Sequence, residues 1–422
     1  MAQVEMVNFA SITSGSTQTV NLSKITGTPK AVIVFHPGRT TVGSSASVNL
    51  GIGLSDGSTD RAITVTDQDA TSPTNTNRRH SAKLASVISA TPSILEEFSC
   101  AFSAGDLDLT YSTTEGFARL YSALVFDCEA AAVVDFALPT STGEFEVTGA
   151  GFRPTSYMVI SIGNGNAVPH TQVVAKASIG FANRRDQQCH LSMGTKDNVT
   201  TTVTRAGLHN DIVYGGYNNT PSSGLATEVA HVGMTSDGCR MNRLVNNGTA
   251  ERIFILFFKG IDIGIQTFQQ PASTGVQYVT GARPRPQCGV VLGSRNTELN
   301  NANQQNFGAT VGFFDNDLIH RCATMHSSNG ATASNSSRDR QWHDDEVIAI
   351  PNSVDAYSVV AEAAPTSILS DGTVLTWGVA DATQRQNALI TFGKPETGRR
   401  NQSVRATRKG CIRNRGLGRL TV

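Results

Sequence analysis

One pattern in this chain constrains its fold more than any other, because it occurs three times. Residues 25–35 read ITGTPKAVIVF, residues 147–160 read VTGAGFRPTSYMVI and residues 279–292 read VTGARPRPQCGVVL. Each has a β-branched residue, Thr, Gly, a Pro shortly after, and then an apolar run. Other marks follow in the same order. IGL (52–54), IGF (179–181) and VGF (311–313) come next, then RAITVTDQD (61–69), CHLSMGTKD (189–197) and RCATMHSSN (321–329). A His then precedes a further apolar stretch at His80, His209 and His343. A Gly-containing turn finally opens a closing pair of strands, at AGD (104–106), SDG (236–238) and SDG (370–372). Five marks in one order, three times, predict three copies of one unit, each about the size of a small domain.

Within a copy the apolar stretches are short, alternate with a period near two, and are bounded by Gly, Asn, Asp or Pro. DLDLTYS (106–112) places Leu107, Leu109 and Tyr111 on one face. That is the all-β signature, and no stretch keeps a helical period over three turns. The composition agrees, with only 16% charged residues and 39 glycines in 422 residues. The expected fold is all-β, three tandem β-sandwiches of jelly-roll type with about eight strands each. The predicted boundaries are an extended N-terminal segment 1–20, sandwiches at 21–128, 144–260 and 276–394, linkers 129–143 and 261–275, and a basic arm 395–422. Both linkers end in Pro, small residues and STG. Gly27, Gly149 and Gly281 read as tight turns into the first core strand. Gly53, Gly180 and Gly312 fall inside strands, which predicts a bulge or a close approach between sheets.

The chemistry searched for is mostly absent. His80, His209 and His343 recur, but HSAK, HNDI and HDDE share no acid or nucleophile, so hydrogen bonding that closes a loop outweighs catalysis. His343 with Asp344, Asp345 and Glu346 has oxygen ligands for a cation. Adjacent residues on an extended strand point to opposite faces, so a surface acidic loop is the stronger expectation and no metal is assigned. No H-E-x-x-H or P-loop occurs. A carboxylate pair of the glycosidase kind can come from distant strands, but the copies share no acidic pair. The expectation is a protein that is not an enzyme, with no cofactor and no catalytic residue.

Charge is balanced overall, with 34 basic and 34 acidic residues, but is unevenly placed. The basic residues Arg399, Arg400, Arg405, Arg408, Lys409, Arg413, Arg415 and Arg419 crowd the C-terminal arm, where Glu396 is the one acid. Phosphate binding is one reading of such a run. The arm has no aromatic residue for base stacking, so docking on an acidic neighbouring subunit is preferred and nucleic acid is not expected as a partner. The first 20 residues are expected to pair along a neighbour's sheet edge. Seven scattered cysteines without paired spacing predict reduced thiols. RIFILFFKG (252–260) and similar runs are too short to cross a bilayer, and the N-terminus lacks a secretory signal pattern, so no membrane role is expected.

The order of these marks resembles a module of tailed-bacteriophage structural proteins, with an F-x-V-T-G-x-G-F-x-P type opening strand and a D-G-x-x-L type closing turn. FEVTGAGFRPTSYMVI (145–160) is similar throughout, while ITGTPKAVIVF lacks the Gly-Phe pair and AGD departs from the SDG turn. The resemblance implies a virion component, made in the bacterial cytoplasm and assembled by contacts with other virion proteins or with further copies of itself. A tail-associated position (adaptor, baseplate or fibre) is slightly preferred over capsid decoration, and recognition of a host glycan is a further alternative.

Overall fold

The computed structural model describes residues 2–221, 224–302, 304–352 and 358–395. The protein is all-β and its strands pair antiparallel throughout. Among the described residues they form three seven-stranded sheets and three four-stranded sheets. The first large sheet runs, in spatial order, Gln3–Ala10, Leu120–Asp127, Ala31–His36, Val48–Ser55, Asp60–Asp67, Thr76–Ser81 and His170–Val173. The second and third large sheets repeat this order, starting from Ala130–Ala137 and Asp262–Gln269. Each small sheet covers the outer face of its own large sheet. The first runs Thr17–Asn21, Asp106–Thr113, Ile94–Ser103, Ala85–Ile88.

The seventh strand of every large sheet is borrowed. His170–Val173 of the second unit completes the first sheet, Gln304–Gln305 of the third completes the second, and Gly43–Ala46 of the first completes the third. The exchange therefore closes on itself, one to two, two to three and three to one. The three units form a ring around a pseudo-three-fold axis within one chain.

The core follows from this ring. Strand Ala31–His36 is buried along its whole length. Ala31, Ile33 and Phe35 join a central cluster that draws on all three large sheets, while Val32 and Val34 face the unit's own small sheet. Burial on both faces explains why this strand reads as a continuous apolar run. Near one end of the axis Phe126, Phe258 and Phe392 meet, with ring centroids 4.8, 5.2 and 6.1 Å apart. At the opposite end three loops interlock. Thr74 pairs with Asn198 and Val199, Thr202 with Gly330 and Ala331, and Asp69 accepts from the amides of Ser337 and Arg338.

The predicted linkers are corrected by the structure. Segments 129–143 and 261–275 contain Ala130–Ala137 and Asp262–Gln269, each paired over eight residues with the final strand of its unit. Segment 1–20 contains the equivalent strand, Gln3–Ala10, paired along one edge with Leu120–Asp127 of its own unit. The Pro and STG marks belong to the short turn that follows each of these strands. Alternating Val133 toward the common core and Val134 toward the small sheet is what makes the segment a strand. With these and the borrowed strand, the sheets of each unit hold eleven strands among the described residues.

The recurring glycines have a shared physical cause. A Cβ on Gly53, Gly180 or Gly312 would lie 1.6, 1.8 or 1.9 Å from the carbonyl oxygen of Leu84, Val213 or Val347. Those three residues stand where the chain crosses from the large to the small sheet, and each amide donates at 2.9 Å into the small sheet, to Phe98, Val229 and Ala363. The backbone passes directly over the glycine, so no side chain fits. The VTG and SDG marks meet each other. Asp237 accepts from the amide of Gly149 at 3.1 Å, and Asp371 accepts from that of Gly281 at 3.3 Å. Gly105 replaces the Asp in the first unit, and its own amide donates to Gly27 at 3.0 Å.

Candidate functional site

The three recurring histidines are not three equivalent positions. Register relative to Gly53, Gly180 and Gly312 aligns His209 and His343 with Ser81. His80 is one residue out, and a one-residue offset turns a side chain to the other face. Its ring lies against His170 and Phe254 at the first seam, 6.1 and 5.8 Å away. Burial pushes His80 down to about 4, as suits a neutral packed imidazole. His209 and His343 end their strands, and each faces an acid of the following loop. The separations are 3.6 Å to Asp211 and 3.4 Å to Glu346.

His343, Asp345 and Glu346 bring one potential ligand atom each within 4.8 Å of one another. The chain turns after His343, which gathers these residues where an extended strand would separate them. Asp344 points elsewhere and pairs with Arg321 at 3.1 Å. Asp345 is lowered chiefly by its hydrogen bond with Glu346, and burial raises Glu346. These three residues are the ones that would hold a cation, through one imidazole nitrogen and two carboxylate oxygens.

The basic arm residues Arg399, Arg400, Arg405, Arg408, Lys409, Arg413, Arg415 and Arg419 lie outside the described residues. The six described cysteines are all buried and free. No helix among the described residues is long and apolar enough to cross a membrane.

What the structure does assemble is a set of three seams. Lys24 of the first unit meets Asp315 of the third at 2.6 Å, and Arg184 of the second meets Asp262 of the third at 2.8 Å. Arg61 of the first unit meets Asp135 of the second at 3.2 Å. Deepest is Arg338 of the third unit, whose Nε stands 2.9 Å from Asp67 of the first, both buried. The Ser327 hydroxyl donates to the same carboxyl at 2.9 Å. Burial raises Asp67 to about 7 against the pull of Arg338. Sequence reading missed all of these pairs, because their members stand 74 to 291 positions apart.

The outer faces of the units differ. On the free-edge strand of the third small sheet Val276 and Tyr278 are 59% and 69% exposed. The second unit has Glu144 and Glu146 there, and the first has Thr17 and Thr19.

Taken together these features define an all-β protein whose distinctive geometry lies in its seams and surfaces. No family model and no curated protein matches the chain. Among solved structures it is matched to the mouse laminin alpha1 chain, domains LG4-5, at 10% identity. The match covers 60% of this chain and 82% of that one, with a TM-score of 0.08, too low to carry an argument.

Proposed function

We propose that this chain is a non-enzymatic structural protein of a tailed-bacteriophage particle that seats on a three-fold position and assembles by surface contacts. One observation carries the reading: the strand exchange closes after three units, so a single chain presents three related faces around one axis. An object of that symmetry matches a three-fold site without needing two further copies of itself. The interlocked seams and the common core give it the rigidity of a preformed docking body. Decoration of a capsid at a three-fold axis is the placement this ring favours. Modules in series would have suited an elongated tail appendage, and these modules are not in series. The repeated opening strand and SDG turn supply the link to phage structural modules. The test is mass spectrometry of purified particles separated into heads and tails. The chain is expected in the head fraction. Finding it in the tail fraction would move its position, and absence from both would end the reading.

A further inference from the structure

The three seams are built from equivalent positions, and one of them is electrostatically incomplete. Alignment through Gly53, Gly180 and Gly312 makes Arg78, Ala206 and Arg340 equivalent on the strand that receives the borrowed one. Pairing at the start of the last strand of each unit makes Arg119, Glu251 and Arg385 equivalent. At the seam of the first and second units, Arg78 and Lys176 are buried together. The carboxylate of Glu251, itself 1% exposed, opposes the effect of burial on both of them and on Arg243. It also accepts from the Tyr214 hydroxyl at 2.8 Å. Glu251 acts on these cations through the field of its charge, beyond ion-pair distance.

At the seam of the third and first units the same place carries Arg119 where the other has Glu251. Arg340 is lowered to about 10 by burial first, and then by the charges of Arg39 and Arg119. Among the described residues no carboxylate lies within ion-pair distance of Arg340. Its guanidinium donates to the Ser47 carbonyl, at 3.1 Å. Arg119 pairs with Glu115 and donates to the Gly38 carbonyl. Glu96 is held by Ser11 and Tyr121.

A cavity of about 240 Å³ opens beside these guanidiniums, lined by Arg119, Arg340, Asn49, Ser89 and Asp67 among others. It exceeds the roughly 150 Å³ of a cavity that accepts benzene. Buried polar atoms without a partner gather around it: Nε of Arg119, Nε of Arg340, Oδ1 of Asn49 and Oγ1 of Thr66. Arg119 is 7% exposed and Asn49 5%. Asp67 adds a carboxyl to the lining, but its charge faces Arg338. A half-buried cation without a paired carboxylate, as Arg340 is among the described residues, carries a desolvation cost, and a polar cavity with directed donors is where an anion offsets it.

We propose that this cavity binds a small phosphate-type oxyanion, which takes at the third seam the place that the Glu251 carboxylate takes at the first. Arg340 and Arg119 hold the oxygens, and the remaining volume accommodates a short substituent or ordered water. The ligand is inorganic phosphate or a small phosphate monoester. The bound anion would join the first unit to the third across their seam.

The experiment is calorimetric titration of the full chain with inorganic phosphate in chloride buffer at constant ionic strength, repeated with glycerol 3-phosphate. Saturable one-site binding is expected, weakened at least ten-fold in Arg340→Gln and unchanged in Arg240→Gln, an exposed arginine of the second unit. Ser89→Asp keeps an acceptor for the Ser93 amide and places a carboxylate at the cavity. It is expected to weaken phosphate binding about ten-fold with the fold intact, so the idea stays testable if Arg340→Gln does not fold. Tighter binding of the ester than of the free ion assigns the site to a monoester, and equal binding assigns it to phosphate itself. No saturable heat with either probe, or binding undiminished by both cavity variants, overturns the proposal.

Discussion

His36 makes the protein's stability depend on pH in a way that can be measured at one residue. The ring is fully buried over Gly51, where a Cβ would come within 1.9 Å of Nε2. Its Nδ1 accepts from the Gly38 amide at 3.2 Å, so a second ring proton would have to face a donor. Burial first, and then the charges of Arg119 and Arg340, push its pKa from 6.5 down to about 3. In the unfolded chain the same imidazole titrates near 6.5. Between these values the unfolded chain binds more protons, so stability rises with pH and is lost as pH falls below 6.5. At pH 5 the unfolded imidazole is about 1.5 units below its pKa while the folded one is still neutral. At 1.36 kcal/mol per unit the loss is about 2 kcal/mol. That figure barely changes while the folded value stays well below 5.

The assay is urea unfolding at pH 7 and pH 5, followed through Trp342 and Trp377, both buried. The variant is His36→Gln, which keeps an acceptor within reach of Gly38 and cannot titrate. His80, His190, His209 and His231 are also lowered by burial, so the wild type and the variant both weaken at pH 5. The wild type should lose about 2 kcal/mol more than the variant between the two pH values. Equal losses would refute the account of His36, whatever the variant's stability at pH 7.

Other perturbations probe the ring itself. Gly180→Ala drives a methyl into the Val213 carbonyl and should cost about 1–3 kcal/mol or more by overpacking, read as a lower urea midpoint with unchanged slope. Phe258→Ala empties one corner of the aromatic triad on the axis and should cost about 3–5 kcal/mol, checked by the same unfolding curves. Arg338→Met leaves Asp67 buried and unpaired across the seam. A loss of about 3–5 kcal/mol is expected, with much of it recovered when Asp67→Asn is added. Truncation after Lys394 should leave thermal unfolding unchanged and abolish incorporation into particles, and normal incorporation would remove the docking-arm idea.

The sequence made the repeat, the strand content and the glycine crossings legible because each depends on local constraints. Gly180 must be Gly wherever a carbonyl passes within 2 Å, and that demand recurs in each copy. The borrowed strands were not legible. Gly43–Ala46, His170–Val173 and Gln304–Gln305 are short and have no buried residue, so they join their sheets through backbone hydrogen bonds and carry no apolar alternation. The misplaced His80 has a similar cause. The loop after Ser81 is one residue shorter than those after His209 and His343, measured to the crossing residue over the glycine, so counting back to the nearest His lands on the wrong face. The cation cluster stayed hidden because Arg119 and Arg340 come from different copies. The one local sign was Arg338–His343, an unusually charged strand for one buried on both sides.

A ring made from three identical chains would repeat every seam three times. An arginine cavity tolerated once would then occur at all three positions, with its cost of uncompensated charge tripled. A single chain removes that constraint, because each copy's substitutions are read at one seam alone. The first seam carries Glu251 with Arg78 and Lys176, the second carries Ala206 in place of the arginine, and the third carries Arg340 with Arg119. The same separation lets the third outer face expose Val276 and Tyr278 while the second shows Glu144 and Glu146. Three-fold geometry is thus kept in the backbone, where the glycine crossings and the aromatic triad enforce it, while the chemistry is free to be asymmetric. A protein of this kind can match a three-fold partner in shape and still distinguish one of its three sides.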